Sequence, residues 1–151
     1  MMHHASLDTP SSGRKMAYWI VTLILGMEGI VGGALALIRW SPYAGVMSHL
    51  GYPPYLMTIV GVGYTAAGVV LLAPGVPRLK EWAYAGLFIN YTGAAASHLT
   101  VGDGPGALIG PLMFTGVLLA SWALRPPERR LAEGHNCSPC VGGGASGPFF
   151  R

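Results

Sequence analysis

Residues 17–38 read AYWIVTLILGMEGIVGGALALI, with Glu28 as the only charged side chain. A segment inside lipid has no partner for its backbone except its own helix, and about 17–25 predominantly apolar residues at 1.5 Å rise suffice to cross a bilayer. Three further runs meet that length without any Asp, Glu, Lys or Arg: residues 55–73, 82–99 and 107–124. The sequences between them hold helix breakers and turn formers: Ser41 and Pro42, Pro53 and Pro54, Pro74-Gly75-Val76-Pro77 and Gly102-Asp103-Gly104-Pro105. The pattern predicts an all-α, four-helix membrane bundle over residues 17–124, with short links between antiparallel neighbours. Residues 1–16 read as a flexible leading segment and residues 125–151 as a flexible tail. A cleaved signal peptide competes for the first run, because Arg14-Lys15 precedes it and Ala34-Leu35-Ala36 resembles a cleavage site. Glu28 would interrupt a signal's apolar core, and the run is long enough to span.

Composition supports that reading. The chain has 151 residues, 52% hydrophobic and only 10% charged, whereas a soluble domain carries about 25% charged residues. That excludes an ordinary soluble enzyme, and the high apolar content excludes a disordered chain. The net charge of +3 does not point to nucleic acid, since the Lys and Arg residues are scattered between apolar runs. Arg14, Lys15, Arg78, Lys80, Arg125, Arg129 and Arg130 fall on one side of the four runs and Arg39 alone on the other. The positive-inside rule then places both termini in the cytoplasm. Trp19, Trp40, Trp82 and Trp122 lie near run ends, where an amphipathic indole suits the headgroup level.

Glu28 stands mid-run, where a charge costs about 2.5–3.5 kcal/mol on insertion. Ten Ile, Leu and Val residues in the same run, at about 0.3–0.6 kcal/mol each, offset it. The third run has only Leu87, Phe88 and Ile89 as strong apolar contributors, against Asn90, Tyr91, Thr92, Ser97 and His98. Its polar atoms need partners inside a bundle, which predicts the most buried of the four helices. Gly29-x-x-x-Gly33, Gly63-x-x-x-Ala67, Gly93-x-x-x-Ser97 and Gly116-x-x-x-Ala120 predict tight helix contacts without identifying the pairs. Tyr84, Tyr91 and His98 recur every seven residues along one stripe, with Asn90 and Ser97 beside it. An ionisable residue in a membrane core is by default a functional candidate. Glu28, His98 and Asp103 are therefore the candidate catalytic residues, and His49 and Arg39 can complete a polar mouth around His98 and Asp103. The competing reading is that these groups only hydrogen-bond helix to helix, which for Tyr84 is the simpler account.

The segment Pro77-Arg78-Leu79-Lys80-Glu81-Trp82-Ala83-Tyr84-Ala85-Gly86, with Gly93-Ala94-Ala95-Ala96-Ser97-His98, Gly102-Asp103-Gly104 and Leu50-Gly51-Tyr52-Pro53, resembles the DoxX-like family of small bacterial membrane proteins. The resemblance covers residues 17–124 and neither tail. It implies a four-helix protein of the bacterial inner membrane, with Lys80, Glu81, Trp82, Ser97, His98 and Asp103 as family-like polar residues. The family takes its name from a quinol oxidase and thiosulfate:quinone oxidoreductase system, and relatives are linked to thiol and oxidative-stress redox. No catalytic role comes with the matched residues.

The tail holds both cysteines, as Cys137-Ser138-Pro139-Cys140 preceded by His135. A structural disulfide does not persist in the cytosol, so redox exchange or metal capture would be the uses. The tail lacks the helical pattern that lowers a thiol pKa, and three ligands permit a zinc site without establishing one, so a metal is not expected. The function expected is a redox-associated membrane component holding a quinone or similar apolar molecule near Tyr84, Asn90, Tyr91 and Ser97, with Lys80, Glu81, Trp82, Arg39 and His49 as further binding candidates. The alternative is a non-catalytic scaffold whose tail recruits a soluble redox enzyme. A small proton-coupled transporter would need dimerisation. In each case the expected partners are the lipid bilayer and either copies of this chain or a hetero-complex.

Overall fold

In the first run, large and small residues separate onto opposite faces of the helix they form. The computed structural model describes residues 12–126, in which this helix is α1 (Ser12–Leu37). Its buried face is Tyr18, Thr22, Leu25, Gly26, Gly29, Gly32, Gly33 and Ala36, while Met16, Ile20, Leu23, Ile24, Met27 and Val31 are exposed. Both sets recur at three- and four-residue steps, one helical face each. Apart from Tyr18 and Leu25, small residues lie inside and large apolar ones outside, which inverts the water-soluble arrangement and suits a helix surrounded by lipid.

Four more helices follow: α2 (Ser41–His49), α3 (Tyr55–Leu72), α4 (Pro77–Thr100) and α5 (Pro105–Leu124). No strand occurs among the described residues. α1, α3 and α5 are long and apolar enough to cross a membrane. α1 packs on α3 and α5, and α4 packs on the same two helices from the opposite side. The shared core is Leu25, Leu71, Ala83, Tyr84, Leu87, Tyr91 and Leu118.

Three expectations need correction. Helix α1 starts at Ser12, so residues 12–16 are helical, and α4 starts at Pro77, so Arg78, Lys80 and Glu81 lie within it and not in a link. The stretch after Trp40 is also a helix, α2, because Pro42 occupies the first turn, where its missing N–H has no helical partner to lose. Finally, α4 is not the most buried helix. Its buried residues are Lys80, Ala83, Tyr84, Leu87, Tyr91 and Ala95, fewer than those of α1.

α1 is the central helix because its glycines admit the α3 backbone. A Cβ added at Gly29 would stand 2.9 Å from the Tyr64 carbonyl oxygen, one at Gly68 2.7 Å from the Gly26 carbonyl oxygen, and one at Gly61 2.9 Å from the Gly33 carbonyl oxygen. The first of the four small-residue motifs therefore makes the contact. Gly63, Gly93 and Gly116 of the other three have nothing within 4 Å of such a Cβ. Packing of this kind gains van der Waals contact where lipid supplies no hydrophobic drive.

At the end of the bundle where α1 and α4 finish and α3 and α5 begin, the chain reversals follow one pattern. The N–H of Trp40 bonds the Leu35 carbonyl with Arg39 at φ 54°, and the N–H of Tyr52 bonds the Met47 carbonyl with Gly51 at φ 77°. The N–H of Asp103 bonds the His98 carbonyl with Gly102 at φ 79°. Each is a Schellman closure whose left-handed residue suits glycine. Arg39 adopts it at a cost of about 1–2 kcal/mol.

The α1–α3 contact gives a first prediction. Gly68→Ala forces two backbones apart and should destabilise the protein by about 1–3 kcal/mol, whereas Gly63→Ala should leave it unchanged. Thermal unfolding in dodecylmaltoside followed by circular dichroism compares the two, and equal melting temperatures would contradict this packing.

Candidate functional site

Polar side chains of α4 meet three different partners at three heights. In its first half, the Tyr84 hydroxyl and Ser121 Oγ of α5 are 2.8 Å apart, and Ser121 Oγ is 2.8 Å from Thr22 Oγ1 of α1. One turn earlier, the buried Lys80 donates from Nζ to the carbonyls of Val70 at 3.0 Å and Leu71 at 2.5 Å. It satisfies the last turn of α3, where backbone acceptors and the helix dipole favour a cation. Glu81 accepts hydrogen bonds from Arg125 and, at 3.3 Å, from Trp122 Nε1, and the Arg125 guanidinium stands 5.4 Å above the Tyr84 ring. Trp82 is 79% exposed.

Halfway along, Tyr91 donates its hydroxyl proton to Glu28 Oε2 at 2.5 Å, joining α4 to α1. The Tyr91 ring stacks on Phe114 at 5.6 Å and meets Tyr64 edge-on at 5.9 Å. Asn90 Nδ2 donates to the Tyr64 hydroxyl at 2.7 Å. Gly32 leaves this region open: a Cβ there would be 3.3 Å from the Tyr43 hydroxyl and 3.4 Å from Glu28 Oε1. Burial first, and the nearby Glu28 charge second, push the Tyr43 phenol above its ordinary pKa.

At the far end, Asp103 bridges two histidines. His49 Nε2 lies 2.7 Å from Oδ1 and His98 Nδ1 lies 2.6 Å from Oδ2. The Schellman turn at Gly102 brings Asp103 back beneath His98, and the bridge ties the end of α2 to the end of α4. Tyr52 and Ser97 add a second tie at 2.5 Å between their hydroxyls. Arg39 is exposed in the α1–α2 turn and joins none of these bonds.

Between these levels lies a cavity of about 540 Å³. α2 covers it with Tyr43, Val46 and Met47; Tyr64 of α3 and Asn90 and His98 of α4 supply polar atoms, and most of the remaining wall is apolar. Pro111 of α5 also lines it. This volume lies in the range of small-molecule sites. His98 lines this space, whereas Glu28 does not and lies beside the wall residue Gly32. The structure thus places Asn90 and His98 in the wall of one cavity, sets the Glu28–Tyr91 pair behind Gly32, bonds Asp103 to the wall residue His98 and Ser97 to the wall residue Tyr52, with His49 on the far side of Asp103, and places Lys80, Glu81 and Tyr84 elsewhere. Tyr43, Tyr64 and Tyr52 were missed. The only signal for Tyr64 was its hydroxyl within the uncharged run 55–73, which it shares with Tyr55, Thr58 and Thr65. Cys137, Cys140 and His135 lie outside the described residues, as do Arg129 and Arg130.

The bridge at Asp103 is pH-dependent. Hydrogen bonds from His98, and then from His49, hold its carboxyl below the usual aspartate range. A depressed carboxyl pKa stabilises the fold above the unfolded value, about 3.9, and that contribution is lost as pH falls through the folded value. Amide exchange in residues 44–49, corrected for intrinsic rates, should rise on acidification through that window. Asp103→Asn should show fast exchange already at neutral pH. Slow, pH-insensitive exchange in both proteins would contradict the clasp.

Residues 20–121 match the family model of the DoxX-like family. No curated protein and no solved structure matches the chain. The matched segment contains α2, α3 and α4 and the larger part of α1 and α5. A match of that extent, with three apolar spanning helices, makes the chain a membrane protein that belongs to the DoxX-like family.

Proposed function

We propose that the protein is a redox-associated component of the bacterial inner membrane that binds an apolar small molecule of the quinone class. In this reading α4 is a fourth span, the four long helices form a membrane bundle, and both chain ends are cytoplasmic. Helix α4 has 24 residues, about 36 Å at 1.5 Å rise, enough for a hydrocarbon core of about 30 Å. Its polar groups pair with neighbouring helices and the adjoining loop, which offsets its low hydropathy.

The observation carrying the proposal is the cavity: an apolar volume of about 540 Å³ with polar atoms on one side. Small-molecule sites have this character, apolar walls with a few placed polar groups. The Asn90 amide and Tyr64 hydroxyl suit a head carbonyl, and His98 stands at the outer end. A bound quinone would supply a two-electron carrier whose reduction takes up two protons. The Tyr91–Glu28 hydrogen bond holds a proton beside the gap at Gly32, and His98, bonded to Asp103, offers a second ionisable group.

A second reading, a non-catalytic scaffold, draws on the Tyr84–Ser121–Thr22 network, which joins three helices without reaching the cavity. One experiment separates them. Decylubiquinone at about 100-fold over its Kd should stabilise the detergent-solubilised protein by about 2.7 kcal/mol. Ala94→Phe, which fills the cavity, should abolish that shift and leave the unliganded melting temperature unchanged. Under the scaffold reading the quinone shifts neither protein, and His98→Ala lowers stability with no bound molecule lost.

A further inference from the structure

We infer that the ligand of the outer cavity carries a long apolar tail, and that this tail lies in the groove between α3 and α4. The inference rests on the proposed binding of an apolar small molecule in that cavity and extends it to the ligand's shape and route.

A second cavity, of about 330 Å³, lies between α3 and α4. Val60, Tyr64 and Asn90 line both cavities, so the two spaces meet at one wall. That shared wall carries the hydrogen bond from Asn90 to Tyr64. Beyond it the groove is lined by Gly63, Ala67, Val70, Ala83 and Gly86, with Trp82 at its edge. Along α4 it runs from Leu79 to Asn90, about 16 Å at 1.5 Å per residue.

The glycines of this groove differ from those of the α1–α3 contact. Where α1 meets α3, glycines are filled against backbone. At Gly63 and Gly86 a Cβ would meet nothing within 4 Å, so their small size serves no helix contact among the described residues. What they leave open is a slot that shares the wall of Val60, Tyr64 and Asn90 with the roomier cavity, so that a tail passes between the two only where the Asn90–Tyr64 bond yields. A molecule matching that sequence of surfaces has a hydrogen-bonding head and a chain-like apolar tail. Trp82, 79% exposed, and Leu79, 54% exposed, mark the groove as open on the side facing lipid, which supplies lateral entry from the bilayer. Lipid chains are as apolar as the groove, so the tail gains little from hydrophobic transfer. Its location, not its affinity, is the quantity to measure.

The test uses the full chain in lipid nanodiscs with two photoreactive ubiquinone analogues, one with the reactive group on the ring and one with a diazirine at the far end of a decyl tail. Labelled peptides are mapped by mass spectrometry. The ring probe is expected on residues 89–98 or on α2, and the tail probe on residues 63–70 and 79–86. Gly86→Leu should lose the tail label while keeping the ring label, with wild-type helicity and elution volume confirming its fold. Ring label in the cavity with tail label on α2 or α5 overturns this inference and leaves the binding proposal standing. No ring label in the cavity overturns both. A Gly86→Leu variant that changes oligomer mass would assign the groove to a second copy of the chain, which also overturns the inference.

Discussion

Glu28 in the middle of α1 has to find a hydrogen-bond donor before the helix can settle among its neighbours, and Tyr91 provides it across the assembly. A charged residue at that depth costs about 2.5–3.5 kcal/mol on insertion scales, which the surrounding Ile, Leu and Val residues offset but do not cancel locally. The partner comes from α4, the helix least able to enter lipid by its own composition. Each helix supplies what the other lacks: α1 contributes apolar length and α4 contributes the donor. Tyr91 is held in turn by Phe114 on one side and Tyr64 on the other, so the contact fixes the α4 helix against α3 and α5 as well.

The glycine contact between α1 and α3 sets the second condition. Backbones meeting at Gly29, Gly33, Gly61 and Gly68 bring these helices together closely along much of their length. Space then remains on the other face of α3, where Tyr64 points toward α4, and above it, where α2 covers the opening. Close packing on one side and open volume on the other follow from where the glycines lie along α3: Gly61 and Gly68, seven residues apart, face α1, while Gly63 lines the α4 side.

Much of the architecture was legible in the sequence because lipid imposes one rule on every span. Runs of about twenty apolar residues and the links between them can be read without knowing any contact, and so can the side on which Arg and Lys gather. What could not be read depends on facing. Four helices carry small-residue motifs of similar form, and only the direction each faces distinguishes Gly29 from Gly93. Helix α2 was hidden because Ser41-Pro42 reads as an interruption, although proline in a first turn also begins helices. The grouping of Asp103 and His49 with His98 was legible, because both fall in segments that adjoin the same run ends as His98, and the structure bonds the three together. Tyr64 escaped notice because its run also holds Tyr55, Thr58 and Thr65, and nothing in the sequence tells which hydroxyl faces α4.

The stripe of Tyr84, Tyr91 and His98 appears in the sequence as one surface, yet each member is engaged at a different level: by Ser121, by Glu28 and by Asp103. A seven-residue step advances about 10.5 Å along a helix, so residues on one stripe need not share one site. Two of the three bonds hold α4 against other helices, and the third holds it against the loop that follows. Of the residues lining both cavities, Val60, Tyr64 and Asn90, the one on α4 is Asn90, one position before Tyr91 and therefore turned by about 100° toward α3. Within α4 the fold rests on the stripe, of which only His98 also lines a cavity, and Asn90 lines both cavities from the face beside it. The same separation explains how so polar a helix can serve both ends: the groups that satisfy the fold point inward to fixed partners, and the amide beside them faces the open volume.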